Sequence, residues 1–301
     1  MLGVDLFDFS QFICLLNIMI KIFPFIFILL WSSAFITTKP IIDNSDPFAA
    51  LAFRFALVAF GFFLFSIYSK QKILVSKQNF FESFFSGVLF HGFYLGGVFY
   101  SISIGMPTGI AALIVTLQPV LTNALSGPIL NEKVSTKQWI GVLLGLTGAV
   151  LVLGFDIGSK IPAAGLIATI IALLAITFST LWQKKLSNNL PLSTSNMNQA
   201  LGGCLFHLLI IIFFVDPYID FSQTFVIAMS HQIFLVSFGA FTILMYLIKH
   251  NSASKTVSIF FLIPATSAFM AWLFLNESLT NLDLIGFLIT SIGVYIATRE
   301  Q

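Results

Sequence analysis

The 301 residues are 58% hydrophobic and 9% charged, with a mean hydropathy of +1.00 and a formal net charge of +2. Soluble domains carry roughly 25% charged residues, so this balance excludes a water-soluble globular protein and a basic nucleic-acid-binding surface. Two cysteines, Cys14 and Cys204, supply neither a disulfide framework nor a zinc site.

About 20 apolar residues cross a roughly 30 Å hydrocarbon layer. Met1–Ile20 is apolar but holds Asp5 and Asp8, and no basic residue precedes Lys21, which does not fit a cleaved signal peptide. Three readings stand for the extension 1–21: a true start at Met19, an interfacial amphipathic helix, or an extra span. Ten spans then follow, at 22–39, 47–69, 82–103, 109–130, 136–154, 162–183, 194–214, 229–248, 254–275 and 281–298. The long charge-free block 83–131 divides at Gly105-Met106-Pro107-Thr108-Gly109. No strand-like alternation is present, which excludes a barrel. The spans are therefore α-helices, because each backbone amide must find its partner within its own segment.

The basic residues orient these helices. Eleven Lys and Arg fall on the side that carries both termini, against Lys39 and Lys160 on the other, while Arg54 lies inside the second span. Both termini are accordingly expected in the cytoplasm.

The chain also repeats itself at an offset of 145 residues. Residues 110–154 and 255–299 share 10 identities over 45 ungapped positions, among them Pro119/Pro264, Asn131-Glu132/Asn276-Glu277, Gly141/Gly286 and Gly148/Gly293. Each half, 22–154 and 162–298, holds five helices. An odd number forces the second half upside down relative to the first, the arrangement that can open alternately to either side.

Trp31-Ser32-Ser33-Ala34-Phe35, Phe53-Arg54-Phe55, and two Pro-containing helices ending in Leu-Asn-Glu before a Gly-containing helix together resemble the EamA family of the drug/metabolite transporter superfamily. The resemblance covers about 22–298 in two copies. It implies a 5+5 inverted-repeat carrier of small metabolites, often amino acids, that needs no nucleotide hydrolysis, and a pocket lined by the fourth and ninth helices. The second half departs from the first where Gln199 replaces Arg54.

Polar groups inside a bilayer are costly and mark candidate sites. His91, Tyr94, Val98 and Ser101 form one stripe on the third helix, with Gly92 and Gly96 beside it as a packing surface. His91 is either a neutral ring bonded to a neighbouring helix or a substrate and proton contact. On the fourth helix Gln118, Thr122 and Asn123 surround Pro119. Pro119 and Pro264 free the carbonyls of Val115 and Phe260, as acceptors for substrate or as simple kinks. Trp31, Tyr100 and Tyr246 are cavity aromatics or belt residues. Arg54 snorkels outward, pairs with Asp43 or Asp46, or holds an anionic substrate group. Glu132 and Glu277 read as structural, in turns before the capping-box-like Ser135-x-x-Gln138 and Thr280-x-x-Asp283. Gly141-x-x-x-Gly145 reads as a packing motif.

No H-E-x-x-H, G-x-S-x-G or P-loop is present, so no catalytic residue, metal or cofactor is expected. The expected function is secondary transport of a small neutral or zwitterionic metabolite, by export, with uptake as the alternative and a membrane enzyme or scaffold as the reading from another class. The partners are the solute, protons if transport is coupled, and lipid, with the protein a monomer or homodimer.

Overall fold

A computed structural model describes residues 9–106, 108–153, 161–186, 190–275 and 280–299. Among these residues it is all-helical, and ten helical segments follow the sequence reading. They are α1 (Phe9–Ile42), α2 (Pro47–Tyr68), α3 (Lys77–Ser103), α4 (Thr108–Val115 and Gln118–Leu130), α5 (Thr136–Leu153), α6 (Ala163–Leu186), α7 (Leu192–Phe214), α8 (Gln223–His250), α9 (Ala253–Ser258, Ile259–Phe261 and Leu262–Leu275) and α10 (Asn281–Thr298). Nine of these are long and apolar enough to cross a membrane, and α5 contributes a shorter apolar stretch, Thr136–Val152. The N-terminal segment is helical from Phe9 and runs without a break into the first span.

Two helices begin earlier than hydropathy predicts, α3 at Lys77 and α8 at Gln223. Their first turns are polar, and Ser76 and Ser222 cap them by accepting from the Asn79 and Phe225 amides. A polar helical turn outside the hydrocarbon leaves no hydropathy signal.

The packing shows the inverted repeat directly. α1 lies against α8 and α9, and its counterpart α6 lies against α3 and α4. α5 and α10 meet along a glycine seam. A Cβ on Gly141 would strike the Gly293 carbonyl and the Ala297 amide, and one on Gly148 would strike the Gly286 carbonyl and Thr290. Gly141 matches Gly286 and Gly148 matches Gly293 across the offset. The two contacts therefore exchange with each other, as a twofold axis requires. In lipid no hydrophobic driving force joins helices, so this backbone approach supplies the dispersion contact that holds the halves together.

Two further features are duplicated in register. Both α3 and α8 contain a π-helical segment, Val88–Leu95 and Gln232–Ala240, and the offset carries the first onto 233–240. Both α4 and α9 break just before their prolines, α4 at Thr116-Leu117 and α9 through the 3-10 turn Ile259–Phe261. Proline removes one amide and obstructs the preceding turn, which accounts for both breaks.

Candidate functional site

The first π-helical segment carries His91 and Tyr94, both buried. A π-turn widens the helix and re-aims its side chains, here toward α1, α2, α7 and α8. The His91 ring sits between Phe55 (centroids 4.4 Å apart) and Phe241 (4.6 Å). Its Cβ occupies room left by Gly203 on α7, where any side chain would collide. No hydrogen bond from the His91 ring is present among the described residues, and its buried Nδ1 has no partner. Gly92 and Gly96 pack on Phe206 and His207 of α7, as the small-residue surface on α3 predicts.

Trp31 on α1 closes one wall, with Phe27, Phe90 and Phe260 at 5.3, 6.0 and 5.9 Å. Tyr94 stands edge-on to Phe90 at 5.3 Å, beside Trp31. Arg54 enters from α2, only 4% exposed, and its Nε donates to Ser237 Oγ at 2.9 Å. Ser237 lies on the second π-helical segment. Arg54 thus bonds to the second π-helical segment while lying within electrostatic range of His91 and Tyr94 on the first. Trp31, Arg54, His91 and Tyr94, four of the expected site residues, share this one polar-aromatic core.

The other four lie apart from it. Gln118 is buried on α4 and donates from Nε2 to Thr180 Oγ1 on α6 at 3.1 Å, leaving its Oε1 without a partner. Asn123, further along α4, is buried with both amide atoms unpaired. These two belong to a separate polar layer that also contains Ser126 on Ser254 (2.8 Å), Ser86 on Ser179 (3.1 Å) and Gln183 on Gln199 (2.8 Å). Tyr100 is half-buried and stacks on Phe48. Tyr246 sits in the last turn of α8, stacked on His250 at 4.0 Å and edge-on to Phe23.

Glu132 reaches across the repeats rather than bracing its own turn. Its Oε1 accepts from the Ala253 amide at 2.9 Å and its Oε2 from the Ser254 amide at 3.4 Å, at the start of α9. These are the first amides of a helix, which have no intrahelical acceptor and carry the positive end of its dipole. Lys184 donates to the carbonyls of Ile248, Lys249 and Asn251 at the end of α8. Carboxylate and ammonium therefore clasp the α8–α9 turn from both sides. Both capping boxes are formed, Ser135 with Gln138 and Thr280 with Asp283. Glu277 lies outside the described residues.

Three core participants carry no expectation from sequence. His207 on α7 places Nε2 at 3.0 Å from the His91 carbonyl; since a carbonyl only accepts, Nε2 bears the proton and Nδ1 is left as a buried acceptor without a donor. His231 on α8 meets Ser33 Oγ (3.0 Å) and Thr37 Oγ1 (3.3 Å) of α1. Both could have been found as His91 was, as imidazoles inside charge-free spans. Ser237 gives no such signal, because serine is ordinary in membrane helices.

The chain matches the model of the EamA-like transporter family over residues 18–154 and 163–299. It is 23% identical over 282 residues to an Escherichia coli protein described as a probable amino-acid metabolite efflux pump, covering 89% of this chain and 91% of that one. A Salmonella typhimurium protein of the same description is 21% identical over 280 residues, with 89% and 91% covered. The chloroplastic WAT1-related protein of Arabidopsis thaliana is 23% identical over 299 residues, with 94% and 69% covered. A solved crystal structure superposes with a TM-score of 0.78 at 18% identity, covering 93% of this chain and 97% of the other, which shows a shared fold.

Proposed function

The chain belongs to the EamA-like transporter family, and from that premise we propose that it exports a small neutral or zwitterionic metabolite, an amino acid or a close relative, across the bacterial inner membrane. The observation that carries this reading is the polar-aromatic core formed by Trp31, Arg54, His91 and Tyr94. It lies where the two π-helical segments of the inverted halves converge. A site shared by both halves is what alternating access requires, because each half must expose it in turn. The description of the E. coli and Salmonella relatives as probable amino-acid metabolite efflux pumps supports amino acids and the outward direction.

The bonding at the cytoplasmic end supports a gate there. Opening toward the cytoplasm would draw α9 away from α4, breaking the Glu132 bonds to Ala253 and Ser254 and the Ser126–Ser254 contact. Gln118 and Asn123, buried with unpaired amide atoms, would gain solvent or solute partners in that state. They are read as lining the cytoplasmic half of the path, with Pro119 and Pro264 marking the bending points of α4 and α9. Tyr100 and Tyr246 would flank the path at its two ends.

The test is a panel of amino acids and related metabolites scored by thermal stabilisation of the purified protein, then by flux in liposomes. At least one solute is expected to stabilise the protein and to move. His91→Phe and Gln118→Leu are expected to lower flux while leaving yield and melting temperature near wild type. Full-rate transport by both variants would remove these side chains from the path.

A further inference from the structure

Arg54 carries a positive charge into the protein interior about 10 Å, seven residues at 1.5 Å each, beyond Pro47 at the start of α2. Burying an unpaired charge costs several kcal/mol even after relaxation, so the question is what balances it. It does not snorkel, being 4% exposed. Asp43 is held by Lys39 at 2.7 Å. Asp46 is occupied as the N-cap of α2, accepting from the Phe48 and Ala49 amides at 2.9 Å. No carboxylate pairs with Arg54 among the described residues.

The immediate surroundings are uncharged. Phe55 lies 5.3 Å from the guanidinium carbon, and Tyr94, His91 and His207 are within electrostatic range. Of five N–H donors on a guanidinium, only Nε is engaged, by Ser237 Oγ. That bond matters for geometry. It pins the near edge of the fork to α8 and leaves the outer pair of nitrogens without an acceptor among the described residues. Two parallel N–H groups on such a fork match the two oxygens of a carboxylate.

We propose that Arg54 is the anchor for a carboxylate on the transported solute, oriented by Ser237 from the opposite repeat, with the Trp31–Phe90 wall beside Tyr94 receiving the solute's apolar part. This rests on the transport reading and narrows it to solutes that carry a carboxylate. The solute supplies the counter-charge that is missing among the described residues. Ser237 is a positioning residue: it touches the guanidinium, and the guanidinium touches the ligand. Because α2 and α8 come from different halves, a bound carboxylate bridges the same two bodies that must move during transport.

The experiment compares acids with their neutralised partners. Thermal stabilisation of the purified full chain is measured with L-phenylalanine and L-leucine against L-phenylalaninamide and L-leucinamide, with inorganic phosphate as a non-planar anion. The acids are expected to bind at least about tenfold more tightly than the amides, and phosphate less tightly than the acids. Arg54→Gln is expected to abolish the acid preference. Ser237→Ala, which keeps the charge, is expected to weaken acid binding several-fold and leave the amides unchanged. Equal affinity for acids and amides in the wild type would overturn the proposal, as would binding of none of the acids. Should Arg54→Gln fail to fold, Ser237→Ala decides, and an unaltered acid-to-amide ratio in that variant overturns the proposal. Acid binding without flux would instead sink the transport reading and leave the anion site standing.

Discussion

At one end of the bundle Glu132 holds the first amides of α9 and Lys184 the last carbonyls of α8. At the opposite end Lys39, which matches Lys184 across the 145-residue offset, pairs instead with Asp43 one turn away, both side chains more than half exposed. Equivalent lysines in the two halves thus take part in a clasp between helices on one side and in a surface ion pair at the end of a single helix on the other. The layer beneath repeats the contrast. The first turns of α9 are buried, whereas much of the early part of α4 is only partly covered. The difference teaches that the repeat specifies what each end is able to bond, and that the conformation decides which end is bonded.

The largest effect is expected where the two halves do not differ. Gly148→Leu drives a side chain into the Gly286 carbonyl and Thr290, groups fixed by helix backbone. Overpacking of this kind costs on the order of 3 kcal/mol or more, so yield and melting temperature should collapse. A well-folded Gly148→Leu protein would mean that α5 and α10 do not form the seam.

The clasp is the next place to press. Glu132→Ala removes the carboxylate that two α9 amides share, a loss of about 1–2 kcal/mol by analogy with helix caps. Combined with Lys184→Ala, it should increase labelling by a thiol reagent applied from the cytoplasmic side to a cysteine placed at Gln118 in a Cys-free background. Unchanged labelling would separate the clasp from gating.

Sidedness itself can be checked by single cysteines at Ser135 and Asn281 in the same background. The first is expected to be reactive only from inside and the second only from outside, following the eleven-to-two split of Lys and Arg. Reaction from one side for both would break the inverted arrangement. The smallest effect belongs to Lys39→Ala, whose exposed pair should change stability by less than about 0.5 kcal/mol. A large loss of transport in this variant would show that Lys39 takes up a clasp of its own at another stage of the cycle.

Much of the site can be read from residues whose cost in lipid gives them away. Arg54, His91, Trp31 and Tyr94 are expensive or bulky inside a span, and they converge. Gln118 and Asn123 announce themselves by the same rule, but their depth along α4 puts them in a separate layer facing α6 and α9. Tyr246 passes the composition filter and lies near the end of α8, because an aromatic at a span's edge and one in its middle look alike in sequence. Ser237 fails the filter altogether: its part in the site comes from one hydrogen bond to a residue 183 positions away.

The sequence by itself determined that this chain lives in a membrane, how many helices it has and that the halves are inverted. Those properties follow from local quantities: apolar length, and prolines and glycines whose backbone demands recur in register. The tertiary structure alone decided that α3 and α8 each open into a π-turn. It also decided that those turns meet around Arg54, and that Glu132 caps a helix in the other half. A π-turn competes closely with the α-turn in the same residues, and a cap in trans depends on where another helix begins. Both are settled by contacts between segments far apart in the chain, for which no neighbouring residue carries a mark.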